Sequence, residues 1–167
     1  MNNPHSEKPR KVLIVEDESI ISEYYSFLIE KPGREIFIAD CGRSALELLD
    51  KNTIDLIISD INMPNLDGLS LLEINAERNI FRPTILVSGH ATKDIAIKSL
   101  KLGAFDLLDK PIVEKNFLAT IDRAFSYIDQ QDKAIEIIKN TEILNPVDKD
   151  VRNEMIKFIA NASLRKQ

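Results

Sequence analysis

Residues 11–18 read Lys-Val-Leu-Ile-Val-Glu-Asp-Glu, a stretch in which an unbroken apolar run stops at three acidic residues. The run covers Val12 to Val15 and lacks the alternation of apolar and polar residues that marks a strand with one solvated face. Such runs are typical of strands covered on both faces, as in parallel sheets. The stretch therefore predicts a buried parallel strand with acidic side chains at its carboxyl end.

Short apolar runs recur along the chain and are separated by stretches with helical periodicity. The further runs lie at 35–39, 56–58, 84–88 and 104–109. Strands that alternate with helices favour a parallel sheet with right-handed crossovers. We therefore predict an α/β fold, a doubly wound five-stranded parallel sheet with helices on both faces.

The composition fits an acidic globular protein. The chain has 167 residues, of which 44% are hydrophobic and 29% charged, and its formal net charge is −5. This length suits one domain with an appendage. A basic surface is the first requirement for binding nucleic acid or an anionic membrane, so we expect neither partner.

Several other classes of protein are excluded by residue counts and motifs. A single cysteine, Cys41, cannot form an intramolecular disulfide, and His5 and His90 are too few for a histidine metal site. No run approaches the ~18 apolar residues of a membrane span, and the polar N-terminus lacks the apolar segment of a signal peptide. Glycine-rich nucleotide loops are also missing from the sequence. We expect a cytoplasmic protein in which residues 1–10 form a flexible lead-in.

The predicted strand ends carry chemically active side chains. Glu16 and Asp17 follow the first strand, Asp60 the third, Ser88 the fourth and Lys110 the fifth. Ligands bind beyond the carboxyl ends of the strands in open sheets of this kind. Clustered carboxylates favour a bound divalent cation such as Mg²⁺, and a nearby ammonium and hydroxyl suit a phosphoryl group.

Motifs around these residues resemble the receiver domain of two-component response regulators, over about residues 11–128. The motifs are V-E-D-E at 15–18, D-I-N-M-P at 60–64 with D-G at 67–68, S-G-H-A at 88–91 and G-A-F-D-L-L-D-K-P at 103–111. The resemblance implies a flavodoxin-like fold with strand order 2-1-3-4-5. It implies a phospho-accepting regulator that catalyses only its own phosphorylation and dephosphorylation.

The resemblance also assigns roles to individual residues. Asp60 would accept a phosphoryl group from a phosphohistidine of a sensor histidine kinase, in the manner of other aspartyl nucleophiles. Lys110 would then pair with the phosphoryl group, and Ser88 would form a hydrogen bond to it.

A magnesium site follows from the same resemblance. Asp17, Asp60 and the backbone carbonyl of Asn62 would bind Mg²⁺ directly, and Glu16 would act mainly through water. Mn²⁺ could substitute for Mg²⁺ in such a site.

Three further positions concern switching. Leu107 stands where the family usually has Tyr or Phe, and a leucine cannot make the polar or stacking contacts of that aromatic residue in its usual coupling to the hydroxyl residue. Movement of the loop after Ser88 and of the helix from Ile95 would then carry more of the output. His90 resembles a position that modulates phosphoryl lifetime, or is a solvated loop histidine, and Pro111 would follow a cis peptide bond.

The segment 129–167 is predicted to be a helical extension. Isoleucines at 121, 128 and 135 recur every seven residues, so one helix can run to about Asn140 as a coiled coil, although part of this stripe must pack on the sheet. Asn145-Pro146 breaks the helix, and Asp148 precedes a second amphipathic face. Seven basic and seven acidic residues leave no basic face, so we expect self-association or partner docking and no DNA binding.

Alternative functions stay open at this point. The chain could be a phosphorelay intermediate, or the N-terminal part of a larger regulator with an enzymatic output. An aspartyl-nucleophile phosphatase is disfavoured because Asn62 stands where such enzymes carry a general acid. A flavodoxin is disfavoured because no phosphate loop follows the first strand. The cognate kinase, the downstream partner and the phosphoryl lifetime have no signal in the sequence.

Overall fold

The computed structural model describes residues 9–78, 82–140 and 149–162. Most of the predicted lead-in lies outside the described residues, as do the predicted helix break at Asn145-Pro146 and the cap near Asp148.

Five parallel strands form one sheet in the order β2-β1-β3-β4-β5, which confirms the predicted fold and strand order. The strands are β1 (Arg10–Val15), β2 (Arg34–Ala39), β3 (Leu56–Asp60), β4 (Thr84–Ser88) and β5 (Asp106–Asp109). Every pair of neighbouring strands is parallel, so all five carboxyl ends lie at one edge of the sheet.

Helices follow the strands as the apolar spacing predicts. They are α1 (Ser19–Ile29), α2 (Gly42–Lys51), α3 (Gly68–Glu77), α4 (Lys93–Lys101), α5 (Glu114–Asn140) and α6 (Lys149–Ala162). Gly103 closes the end of α4 with a φ of 82°, a left-handed conformation that glycine adopts without strain.

The apolar run that opens the sequence is buried on both faces of the sheet. Val12 and Ile14 pack with α1 and α5, in a cluster that includes Phe117. Leu13 and Val15 point to the other face and pack with α2 and α3. All four of these β1 side chains are fully buried, which is why the run shows no alternation with polar residues.

Helix α5 is a single helix of 27 residues that continues past the sheet to Asn140, as the heptad spacing predicts. Its first part packs on the sheet, where Ile121, Ala124 and Ile128 are buried. The part of the stripe that packs on the sheet therefore ends at Ile128. Helix α6 contacts the later part of α5, and the Gln131 side chain donates a hydrogen bond to the carbonyl of Ile159 at 3.3 Å.

Two arginines fasten α5 to the amino-terminal edge of the sheet. Arg10 at the start of β1 forms ion pairs with Asp129 at 2.5 Å and Asp132 at 2.8 Å. Arg34, its neighbour in β2, lies 3.6 Å from Asp122 and stacks over the ring of Phe125. The Arg34 contacts lie within the part of α5 that packs on the sheet, and the Arg10 contacts extend the attachment one turn beyond Ile128. None of the described helices is both long enough and apolar enough to cross a membrane.

Candidate functional site

The site lies at the carboxyl edge of the sheet, where the strand order brings together residues distant in the sequence. β1 and β3 are neighbours, so Glu16 and Asp17 follow one strand beside Asp60 at the end of the next. β4 and β5 end at Ser88 and Asp109, and Lys110 comes directly after β5. The parallel register therefore places the predicted carboxylates and the predicted lysine at one edge.

Three carboxylates form an acidic cluster in this place. One carboxylate oxygen each from Glu16, Asp17 and Asp60 lies within 4.8 Å of the others. Glu16 and Asp60 are buried, and Asp17 is exposed. Oxygen donors at this spacing fit a hard divalent cation, which would remove the repulsion among them.

The ammonium of Lys110 lies between two of these carboxylates. Its Nζ donates to Asp60 Oδ2 at 2.6 Å and to Glu16 Oε2 at 2.9 Å. Burial acts to lower the pKa of Lys110, but its bonds to Asp60 and Glu16 together outweigh burial and raise that pKa. Burial raises the pKa of Glu16, and the bond to Lys110 opposes this shift only in part.

The charges of the cluster do not balance without a cation. Glu16, Asp17 and Asp60 contribute three negative charges, and Lys110 contributes one positive charge. Two negative charges remain, which is the charge that one divalent ion neutralises. The number of charges and the type of donor atoms therefore both fit Mg²⁺.

Backbone contacts fix the position of Asp60. The amide of Asn62 donates to Asp60 Oδ1 at 3.0 Å, and Ser59 Oγ donates to the carbonyl of Asp60 at 2.9 Å. Gly68 approaches so closely that a Cβ added to it would lie 2.2 Å from the Asp60 carbonyl oxygen. The sequence marks the Asp67-Gly68 turn as a motif, but this close approach has no signal in the sequence.

Ser88 and its neighbours occupy the other side of the site. Ser88 is fully buried. Its hydroxyl oxygen accepts a hydrogen bond from the amide of His90 at 3.2 Å. Its backbone carbonyl accepts a hydrogen bond from the amide of Lys110 at 2.7 Å. His90 is exposed. The Lys110–Pro111 peptide bond is cis, as the family resemblance implies.

Leu107 has apolar surroundings. It is half-buried and packs against an apolar cluster that contains Leu86, Ala104 and Leu69. A leucine in these surroundings has no polar group with which to form a hydrogen bond to Ser88.

Tyr25 is a neighbour of the site that the sequence does not indicate. Its ring is buried against Phe117 with ring centroids 5.0 Å apart. Burial raises the pKa of Tyr25 to about 12, and the charges of Lys110, Glu16 and Asp60 also act on its hydroxyl. In the sequence this tyrosine is one more residue of the α1 helix.

The fold and the site define a doubly wound α/β domain with a cluster of carboxylates and a lysine at its carboxyl edge. The sequence pattern of the response regulator receiver domain matches residues 12–122. The chain therefore belongs to the response regulator receiver family, and it carries the receiver domain of a two-component response regulator.

Known proteins with similar sequences are regulators. The chain is 26% identical to the transcriptional regulatory protein FixJ of Bradyrhizobium diazoefficiens, over 93% of this chain and 78% of FixJ. It is 34% identical to the DNA-binding transcriptional regulator NtrC of Klebsiella pneumoniae, over 71% of this chain and 25% of NtrC. The chain thus spans most of the FixJ relative but only a quarter of the NtrC relative.

A crystal structure of a similar receiver supports the same assignment. The CheY-like response regulator receiver domain protein of Methanospirillum hungatei superimposes with a TM-score of 0.67 at 27% identity. The match covers 75% of this chain and 98% of that protein.

Proposed function

We propose that the protein is phosphorylated on Asp60 by a sensor histidine kinase, in a reaction that depends on Mg²⁺. The observation that carries this proposal is the position of the Asp60 carboxylate. One of its oxygens accepts from Lys110 and the other from the amide of Asn62, beside two further carboxylates. A carboxylate held at both oxygens is oriented for attack on an incoming phosphorus atom.

In the proposed reaction an oxygen of Asp60 forms a bond to phosphorus while the bond from phosphorus to the kinase imidazole nitrogen breaks. The electron pair of that bond stays on the imidazole. Lys110, now 2.6 Å from the attacked carboxylate, then pairs with a phosphoryl oxygen. Ser88 donates its hydroxyl proton in a hydrogen bond to the same group.

The metal would be held by Asp17, Asp60 and the backbone carbonyl of Asn62, and Glu16 would contribute mainly through water. When bound, Mg²⁺ or Mn²⁺ offsets the negative charge of the phosphoryl oxygens. The cluster of carboxylate oxygens within 4.8 Å supports this assignment.

An exposed apolar stripe on α1 supports a protein as the phosphoryl donor. Ile20, Tyr24 and Phe27 recur at helical spacing and are 81%, 44% and 74% exposed. Because α1 begins two residues after Asp17, this stripe lies beside the site. A helix of the kinase docked on the stripe would bring its phosphohistidine toward Asp60.

We propose that the output is a protein contact and not a DNA contact. The receiver would comprise 11–128 and the helical extension 129–167, in which acidic and basic residues balance. DNA binding requires a basic surface, which this balance does not provide. The contact would be a homodimer or a downstream protein, through the extension or through α4 and α5, and the chain would act in the cytoplasm.

Switching would not use an aromatic side chain at position 107. The apolar surroundings of Leu107 support a route through the loop after Ser88 and through α4, in which His90 adjusts the phosphoryl lifetime. A phosphoryl mimic should therefore shift the NMR resonances of α4 and of this loop more than those of Leu107. A large change of rotamer at Leu107 would overturn this route.

Phosphorylation by acetyl phosphate in the presence of Mg²⁺ tests the proposal directly. We expect an acid-stable, base-labile phosphoprotein that disappears in Asp60→Asn. Asp109→Asn is the matched control, since Asp109 is an exposed aspartate at the end of β5. Labelling that persists in Asp60→Asn would overturn the assignment, and turnover of a generic phosphatase substrate would instead favour an aspartyl phosphatase. A phosphotransfer protein that removes the label would favour a phosphorelay intermediate.

A further inference from the structure

In the helical extension, the end of α5 and α6 form a hairpin, and one apolar face of α6 is exposed. Gln131 lies nine residues before the end of α5 and Ile159 lies ten residues after the start of α6, so their contact indicates an antiparallel pair of helices. Val151, Met155 and Phe158 recur on α6 at intervals of four and three and are 50%, 49% and 71% exposed. We call these three residues the α6 stripe.

A groove accompanies the α6 stripe. It has a volume of about 490 Å³ and is lined by the stripe together with Glu154 and Ile159. A helix of 14 residues with such a stripe is unstable in water unless the stripe packs against another element. Two hairpins that meet through these stripes form a four-helix bundle, in which each Phe158 can enter the groove of the other copy.

We propose that the α6 stripe pairs with the α6 stripe of a second copy of this chain about a twofold axis. The charge distribution favours this occupant. Residues 129–167 carry seven basic and seven acidic side chains, so the whole net charge of −5 lies on residues 1–128. Two copies therefore repel each other through their receivers but not through their extensions.

The ion pairs of Arg10 restrict the orientation of the hairpin before it associates. Because Arg10 holds Asp129 and Asp132, α5 leaves the amino-terminal edge of the sheet in a fixed direction. A fixed hairpin loses less conformational entropy on association than a hairpin on a flexible linker. Asp60 lies at the opposite edge of the sheet, so dimerisation leaves both phosphorylation sites open to the kinase. The proposed pairing is constitutive, so the contact that phosphorylation switches would be the one through α4 and α5.

Sedimentation velocity of the full chain over about 1 to 100 µM, without a phosphoryl mimic, tests the proposal. We expect a species of twice the 19.0 kDa chain mass. Phe158→Asp should weaken the dimer by about 100-fold or more, since it places a charge in an apolar contact. Leu100→Asp, which alters an exposed apolar residue of α4, should leave the dimer intact. A chain that is monomeric throughout, or a dimer lost only with Leu100→Asp, would overturn the proposal.

Disulfide trapping keeps the test decisive if Phe158→Asp unfolds α6. In a Cys41→Ser background, Met155→Cys lies at the centre of the stripe and should form a disulfide between copies, because a twofold axis brings this position next to itself. Asn153→Cys is exposed on another face of α6 and should not form it. Equal trapping at both positions would contradict the proposal.

Discussion

Asp17→Asn should stabilise the fold in the absence of divalent metal and should remove its stabilisation by Mg²⁺. In the cluster, Asp17 repels two carboxylates and attracts one ammonium, so one repulsion is not compensated. At 4.8 Å a pair of like charges repels by about 1 kcal/mol in water and by about 3 kcal/mol at an effective dielectric constant of about 20. Because Asp17 is exposed, we expect the lower value, which corresponds to a rise in Tm of about 3 °C.

Magnesium should reverse this order. At a Mg²⁺ concentration of about ten times Kd, ligand binding adds about 1.4 kcal/mol to the stability of the wild-type chain. The variant lacks a direct ligand, so its stability should change little when Mg²⁺ is added. The wild-type chain should therefore be the less stable of the two in EDTA and at least as stable in saturating Mg²⁺.

Urea denaturation in EDTA and in Mg²⁺ measures both effects on the same protein. Asp109→Asn should show neither effect, since it removes an exposed carboxylate that lies outside the cluster. A destabilised Asp17→Asn variant in EDTA would show that Asp17 is not under net repulsion. Equal stabilisation of the variant and the wild type by Mg²⁺ would show that Asp17 is not a metal ligand.

Three further predictions concern packing and docking. Asn75 is buried, and neither polar atom of its side chain forms a hydrogen bond. Asn75→Leu should therefore raise the free energy of unfolding, measured by urea titration, by about 1 to 2 kcal/mol. A lower free energy of unfolding in the variant would contradict this prediction. Gly68→Ala should destabilise the chain by about 1 to 3 kcal/mol because its Cβ would meet the carbonyl of Asp60. Gly89→Ala, where a Cβ meets open space, is the control, and equal effects of the two substitutions would refute the steric reason. Phe27→Ser should slow phosphorylation by the kinase at least tenfold (about 1.4 kcal/mol), because Phe27 is exposed on the proposed docking stripe. The rate with acetyl phosphate should not change. An equal decrease in rate with both donors would rule out a docking role for Phe27.

The sequence predicts the sheet well because its signals are local. An unbroken apolar run such as Val12–Val15 indicates a strand buried on both faces, and polar residues directly after each run give the strand ends. Once the strands are parallel, Asp17 and Asp60 must share an edge, although 43 positions separate them. The 43 positions between Asp17 and Asp60 therefore did not prevent the prediction that the two residues belong to one site.

Contacts that depend on distant packing had no such signal. Arg10 precedes Asp129 by 119 positions, and their ion pair follows only from the path of α5 across the sheet. The burial of Asn75 without a partner likewise depends on where α3 packs, since an asparagine in an amphipathic helix is usually exposed.

Helix α5 connects the proposed phosphorylation site with the hairpin that α5 and α6 form. It begins at Glu114, four residues after Lys110, and ends in the hairpin at the opposite edge of the sheet. A shift of Lys110 from Asp60 to a phosphoryl oxygen would therefore act on the first turn of α5. Arg10 and Arg34 hold the same helix near the amino-terminal edge, through Asp129, Asp132 and Asp122. Because the helix is fastened there, we expect phosphorylation to change the surfaces of α4 and α5 near the site while the pairing of the α6 stripe persists.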